Sequence, residues 1–151
     1  MGVLFKVLAG WLGSLGFALL FKVGKENLLY ASFAGFISSF IYLGLVDLYG
    51  VYAAIFMSTI CFTLYSEIVC RVRKATVTTF LICGLIPMVP GSGMYYMMSA
   101  FVMGDMAQAG QVATQTITIA GLIALGIILV ATATKFYPGM SVEWTYKYRN
   151  K

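Results

Sequence analysis

The sequence predicts an all-α, polytopic membrane protein with five transmembrane helices, the fourth interrupted by a Pro-Gly break. Three observations lead there. The 151 residues are 61% hydrophobic and 10% charged, with a mean hydropathy of +0.92, more apolar surface than a water-soluble domain of this size can cover with polar groups. The apolar residues fall into five charge-bounded runs, each near or above the roughly 20 residues that a helix needs to cross hydrocarbon. One of the greasiest runs contains "GLIPMVPGSGMYYMM", residues 84–98, which holds two of the chain's three prolines.

The first span, 3–21, ends at "KVGKEN". It lacks a small-residue cleavage site and exceeds a signal-peptide core, so it is expected to stay in the mature chain. The second, 28–46, ends at Asp47, and the third, 51–70, ends at "RVRK". The fourth, 75–104, is broken near 87–91, and the fifth, 112–134, is closed by Lys135. Small residues recur along these runs: Gly10, Gly13 and Gly16 in the first, Ala31, Gly35 and Ser39 in the second, Thr116, Ala120 and Ala124 in the fifth. Such stripes let helix backbones approach where lipid competes equally for larger side chains. The tail, 135–151, is expected to be cytoplasmic. Its "VEWTYKYRNK" alternates with period two, as an extended segment does, and suits the headgroup layer or a partner's surface.

Basic residues orient the chain, because cytoplasmic ends of spans collect Lys and Arg. With the N-terminus outside, Lys22, Lys25, Arg71, Arg73, Lys74, Lys135 and the tail cations all fall inside, and Lys6 alone does not. Asp47, Asp105, Tyr42, Tyr49 and Tyr52 fall at the outer ends. A re-entrant fourth segment would put Lys135 and the tail outside, which this charge pattern opposes. The net charge of +5 is therefore a topology signal in a multi-pass cell-membrane protein, and no nucleic-acid partner is expected.

With no histidine and five acidic residues, neither a zinc site nor a hydrolase relying on a His base can be assembled. No cofactor, metal or enzymatic activity is expected. Cys61, Cys70 and Cys83 show no metal or redox spacing and are expected to pack.

Pro87 and Pro90 each remove a backbone donor, so the helical ladder is expected to fail from about Cys83 to Pro90. Unpaired main-chain groups are tolerated at membrane depth only where they are buried in protein or line a wet cavity. Beyond the break, Ser92 is expected to cap a new half-helix whose Gly91 and Gly93 amides favour a carboxylate, an arrangement that recurs in secondary transporters. The candidate substrate site is Pro87, Pro90, Gly91, Ser92, Gly93, Tyr95 and Tyr96, with Thr114, Gln115, Thr116 and Thr118 opening span five and able to face it. A kinked helix that binds nothing is the plain alternative, and threonines also bond back to their own helix. Glu67, the one acid well inside a span, either pairs with Arg71 at i,i+4 or carries a coupling proton.

The stretch "LIPMVPGSGMYY" resembles the Pro-Gly signature of the threonine/serine exporter (ThrE-like) family. Ile86, Pro87, Val89, Pro90, Gly91 and Tyr95 match an "IP-x-VPG-x-x-x-Y" pattern of its five-helix second domain. The resemblance implies a separately encoded small subunit of a secondary transporter. It would export threonine, serine or dicarboxylates, with a larger membrane subunit of the family or further copies as partners. A non-transporting scaffold subunit and a channel are the competing readings, although nothing resembles a selectivity filter or a ring of charge.

Overall fold

The computed structural model describes residues 3–136, so the alternating segment at 142–149 lies outside the described residues. The elements are α1 (Val3–Leu20), α2 (Lys25–Arg73), α3 (Val77–Leu85), a 3-10 turn (Ile86–Met88), α4 (Gly91–Val102) and α5 (Met106–Phe136). The described residues contain no strand.

At 49 residues α2 would be far longer than a bilayer is thick, but it is not straight. Gly50 interrupts it with φ 81 and ψ 171, a backbone conformation in which a side chain would be strained. Beyond Gly50 the chain folds back. Ser58 Oγ donates to the Ser38 carbonyl at 2.7 Å, Tyr65 Oη to the Tyr30 carbonyl at 3.1 Å, and Arg73 Nε to Asn27 Oδ1 at 3.0 Å. The guanidinium of Arg73 also lies 4.9 Å over the Tyr30 ring and 3.6 Å from the Glu26 carboxylate. The result is an antiparallel hairpin with arms 25–49 and 51–73, and the expected spans 28–46 and 51–70 fall one in each arm. By length and composition α2 and α5 can cross a membrane, and α3 with its 3-10 turn forms with α4 an apolar pair bent by 51°.

The remaining turns follow local chemistry. Lys22 and Lys74 adopt left-handed backbones with φ 52, and Gly104 does so with φ 81. Asp105 opens α5 by accepting the Gln108 N–H at 3.0 Å, as an N-cap does.

The helices meet at small residues. On α1 and the first arm, Gly10 faces Ser39 and Ser14 faces Gly35, each glycine lying where an added Cβ would collide with the opposing serine hydroxyl. A Cβ at Gly84 would stand 2.7 Å from a Phe62 ring carbon, and one at Gly126 would stand 2.8 Å from the Thr59 methyl. Gly13 and Gly16 meet nothing, so of the three glycines on α1 only Gly10 serves packing. The stripe expected on the fifth span also needs correction. Thr116 is buried but Ala120 and Ala124 are exposed, while Ala109, Thr116, Ile123 and Val130 are buried. These four repeat every seven residues, as one face of a packed helix does, and Gly126 and Thr134 are buried beside them.

One contact ties the packing to the break. Pro87 has no N–H, so it cannot serve the carbonyl one turn back, that of Cys83. Ser14 of α1, fully buried, donates its hydroxyl to that carbonyl at 2.8 Å. The orphan expected at Cys83 is thus paired within the protein, and α3 continues to Leu85.

Replacing Ser14 by Ala is expected to lower the unfolding free energy of the solubilised protein by about 1–3 kcal/mol, because a buried carbonyl is left unpaired. In a Pro87→Ala background the restored N–H reaches Cys83, and the same change is expected to cost clearly less. A double-mutant cycle on denaturation midpoints reads this coupling, and equal costs in both backgrounds would refute the assigned role of Ser14.

Candidate functional site

The break is built by three residues that cannot continue a helix together. The Val89 N–H still reaches the Leu85 carbonyl at 3.1 Å, but Gly91 turns its N–H to the Val89 carbonyl at 2.7 Å. Pro90 occupies the N-cap position of α4, and no side chain caps that helix. Ser92 is therefore its second residue and not its cap, because Pro90 stands where the capping hydroxyl would have to be. Met94 N–H bonds the Pro90 carbonyl at 3.2 Å. Between these two bonds, the amides of Ser92 and Gly93 have no acceptor in the described residues.

Those amides lie beside a cavity of about 540 Å³. It is enclosed by the break, one face of α4, the first half of α5, and the ends of the α2 arms that meet at Gly50. Of the residues singled out from sequence, Pro87, Pro90, Ser92, Gly93, Tyr96 and Gln115 line it. Gly91, Tyr95, Thr114 and Thr118 are not in its wall. Thr114 and Thr118 bond back to the carbonyls of Gly110 at 2.9 Å and Thr114 at 2.8 Å. Tyr95 is exposed, its ring edge-on to Tyr96 at 5.6 Å.

Glu67 is remote. It is buried on the second arm and paired with Arg71 at 3.0 Å. Ile55 is the wall residue of that arm nearest to it in sequence, which at 1.5 Å per residue leaves roughly 18 Å along the axis.

Thr116, expected to face the break from span five, is also in the wall, and three further polar wall residues were outside the candidate set: Tyr42, Ser99 and Gln108. Helical spacing locates two of them. Gln108 lies seven residues before Gln115 on α5, and Ser99 follows Ser92 at the same interval on α4, so each shares a face with a residue already singled out. Thr116 is buried where α4 crosses α5, in contact with the space a side chain at Gly93 would occupy. Tyr42 belongs to a different element, and its local sequence marks it only as one of the tyrosines at an outer span end.

The wall contains no charged side chain. Its fixed polarity consists of the two free amides, at the positive end of a half-helix, together with amide, hydroxyl and phenol groups that both donate and accept. Such a lining can seat one anionic group at the amides and hydrogen-bond the rest of a small polar molecule. The floor is apolar. Ile55 and Met88 belong both to the wall and to a buried cluster with Phe62 and Ile123, and Phe62 is pressed against Gly84.

Residues 6–133 match the family described as Threonine/Serine exporter, ThrE. No curated protein and no solved structure gives a match. The matched stretch runs from the first turn of α1 to the end of α5 and includes the hairpin, the break and every wall residue of the cavity. An apolar helical chain with a break of this kind and a match over most of its length belongs to the threonine/serine exporter family of membrane transport proteins.

Proposed function

We propose that this chain is a subunit of a secondary transporter that exports small carboxylate-bearing metabolites, threonine- and serine-type amino acids or dicarboxylates, across the cytoplasmic membrane. The observation that carries this reading is the cavity at the break, with the unpaired Ser92 and Gly93 amides at its edge. A carboxylate is the group that a free helix N-terminus favours, and Gln115 and Tyr96 stand in the same wall to hold the substrate's other polar atoms. Pro87 and Pro90 keep the two half-helices apart, and Gly91 lets the chain re-enter a helix directly after Pro90. Tyr95, Thr114 and Thr118 stay in the proposal as residues that would join the site only after α4 and α5 shift.

Five crossings serve this function: α1, the two arms of α2, the bent pair of α3 and α4, and α5. With the N-terminus outside, the Gly50 and Gly104 turns and the mouth of the cavity are extracellular, and the basic turns at Lys22 and Lys74 are cytoplasmic. A larger membrane subunit of the family, or further copies of this chain, would complete the transporter. Glu67, buried near the cytoplasmic end, is proposed to carry the coupling proton, taken up when its pair with Arg71 opens and released when the pair re-forms.

Counterflow in liposomes, with and without the larger subunit, tests the site against threonine, serine and succinate. Ser92 is exposed and lines the cavity, so Ser92→Leu fills the site without disturbing the core. It is expected to reduce uptake of the transported substrate about tenfold or more, the effect of losing about 1.4 kcal/mol of binding. Wild-type rates from a correctly inserted Ser92→Leu protein would instead point to a scaffold subunit. In the same liposomes Glu67→Gln is expected to abolish accumulation driven by a pH gradient while exchange at equal pH continues. Unchanged gradient-driven transport would leave Glu67 a partner of Arg71 only.

A further inference from the structure

A second cavity, of about 400 Å³, lies at the opposite end of the molecule, where the α1–α2 and α2–α3 connections meet. Its polar lining is Lys22, Asn27, Thr76, Thr78 and Thr79, with no acidic residue. Each of these groups is left with donors to spare. Arg73 can only donate, so the Asn27 atom facing it at 3.0 Å is the oxygen, and both N–H bonds of that amide remain available. Threonines elsewhere, such as Thr59, Thr116 and Thr134, bond back to carbonyls of their own helix. Thr76 precedes α3, while Thr78 and Thr79 sit in its first turn, where no helical carbonyl lies one turn back, and none of the three hydroxyls has a partner.

Lys22 supplies the charge. The neighbouring Arg71 and Arg73 are committed to Glu67 and Glu26, whereas Lys22 has no carboxylate partner within the described residues. Its position is fixed by the end of α1, where Lys22 N–H bonds the Leu19 carbonyl and Val23 N–H the Ala18 carbonyl, both at 3.0 Å. The left-handed backbone this requires, φ 52, is one that glycine would adopt without strain.

We infer that this cavity is an oxyanion site, separate from the cavity at the break, that takes a phosphate-type group through the Lys22 ammonium, the Asn27 amide and the threonine hydroxyls. An ammonium and a ring of hydrogen-bond donors with no carboxylate among them match a multiply accepting anion. The group is either the phosphate of an anionic phospholipid head or a free phosphate.

The full-length protein in a neutral detergent is titrated with inorganic phosphate, with water-soluble dihexanoyl phosphatidylglycerol and with dihexanoyl glycerol, which lacks the phosphate, and the thermal unfolding midpoint is followed. A saturable rise with phosphate or phosphatidylglycerol, absent with dihexanoyl glycerol, is expected. Response to phosphate alone assigns a free anion, and response to phosphatidylglycerol alone assigns a lipid head. Lys22→Gly removes the charge but keeps the left-handed turn, so this variant is expected to fold and to weaken the apparent affinity at least about tenfold. Lys25→Gln removes the same charge from outside the cavity and is expected to leave the affinity within about twofold. Equal losses in the two variants, or no saturable response in the wild type, would overturn the assignment.

Discussion

The constraint on which this structure depends is that every main-chain donor and acceptor removed from water must find a partner. Two prolines close together break that rule locally, and the fold resolves the two sides of the break differently. On the α3 side the carbonyl abandoned by Pro87 is claimed by Ser14 of another helix, inside a junction with no exposed hydroxyl. That bond is possible only because Gly35 gives Ser14 room. Beyond Pro90 no side chain comes forward, and two amides of α4 remain unpaired next to a cavity. One side of the break is sealed by protein, and the other opens on a cavity.

Hydroxyls carry much of this interior. Ser14, Ser32, Ser38, Ser58, Thr59, Thr63 and Ser66 are fully buried among α1 and the two arms of α2. Most bond to a carbonyl of their own helix, while Ser14 and Ser58 cross to another segment and Trp11 Nε1 reaches Ser32 Oγ at 3.2 Å. In a medium where apolar side chains gain nothing by leaving lipid, small polar residues of this kind provide the contact between helices. Ser39 shows the limit of the device. Opposite Gly10 its hydroxyl is buried without a partner, as is that of Thr63.

Much of the fold could be read from composition and spacing. The charge-bounded runs fall on the helices of the structure, although α5 begins at Met106, six residues before the expected 112, and Pro87 and Pro90 stand where α3 and α4 are parted. The hairpin was legible only as two separate runs, since nothing about Gly50 in isolation tells that φ is positive there. The cavity was half legible. Pro87, Pro90, Ser92, Gly93, Tyr96 and Gln115 stand in its wall, five of them within ten residues of each other, and local sequence reports local geometry well. Tyr42 reaches the same wall from the far arm, and Cys83 is paired by a serine 69 residues away. Such long-range pairings are set by how helices cross. The α5 stripe illustrates the same point: a four-residue repeat suggested Ala120 and Ala124, but the residues buried against the other helices are Thr116, Ile123, Gly126 and Val130.

The two sides of the break also differ in how firmly they are held. α3 and the 3-10 turn touch both α1 and α2, whereas among the described residues α4 packs against α5 and no other helix. The α4–α5 contact is close at one point, where Gly93 meets Thr116, and α4 contributes a single buried residue, Ala100. An element with so few buried contacts opens at lower free energy than the body it is joined to, and Val89 and Pro90 are the residues that join them. The unpaired amides thus belong to the part of the cavity with the fewer buried contacts, and the paired carbonyl to the part packed against α1 and α2. A ligand held at Ser92 and Gly93 would bridge the two, because the opposite wall, Ile55 and Met88, is anchored in the cluster around Phe62. Occupation of the cavity would in this way be coupled to the position of α4, the property that the proposed carrier role requires of it.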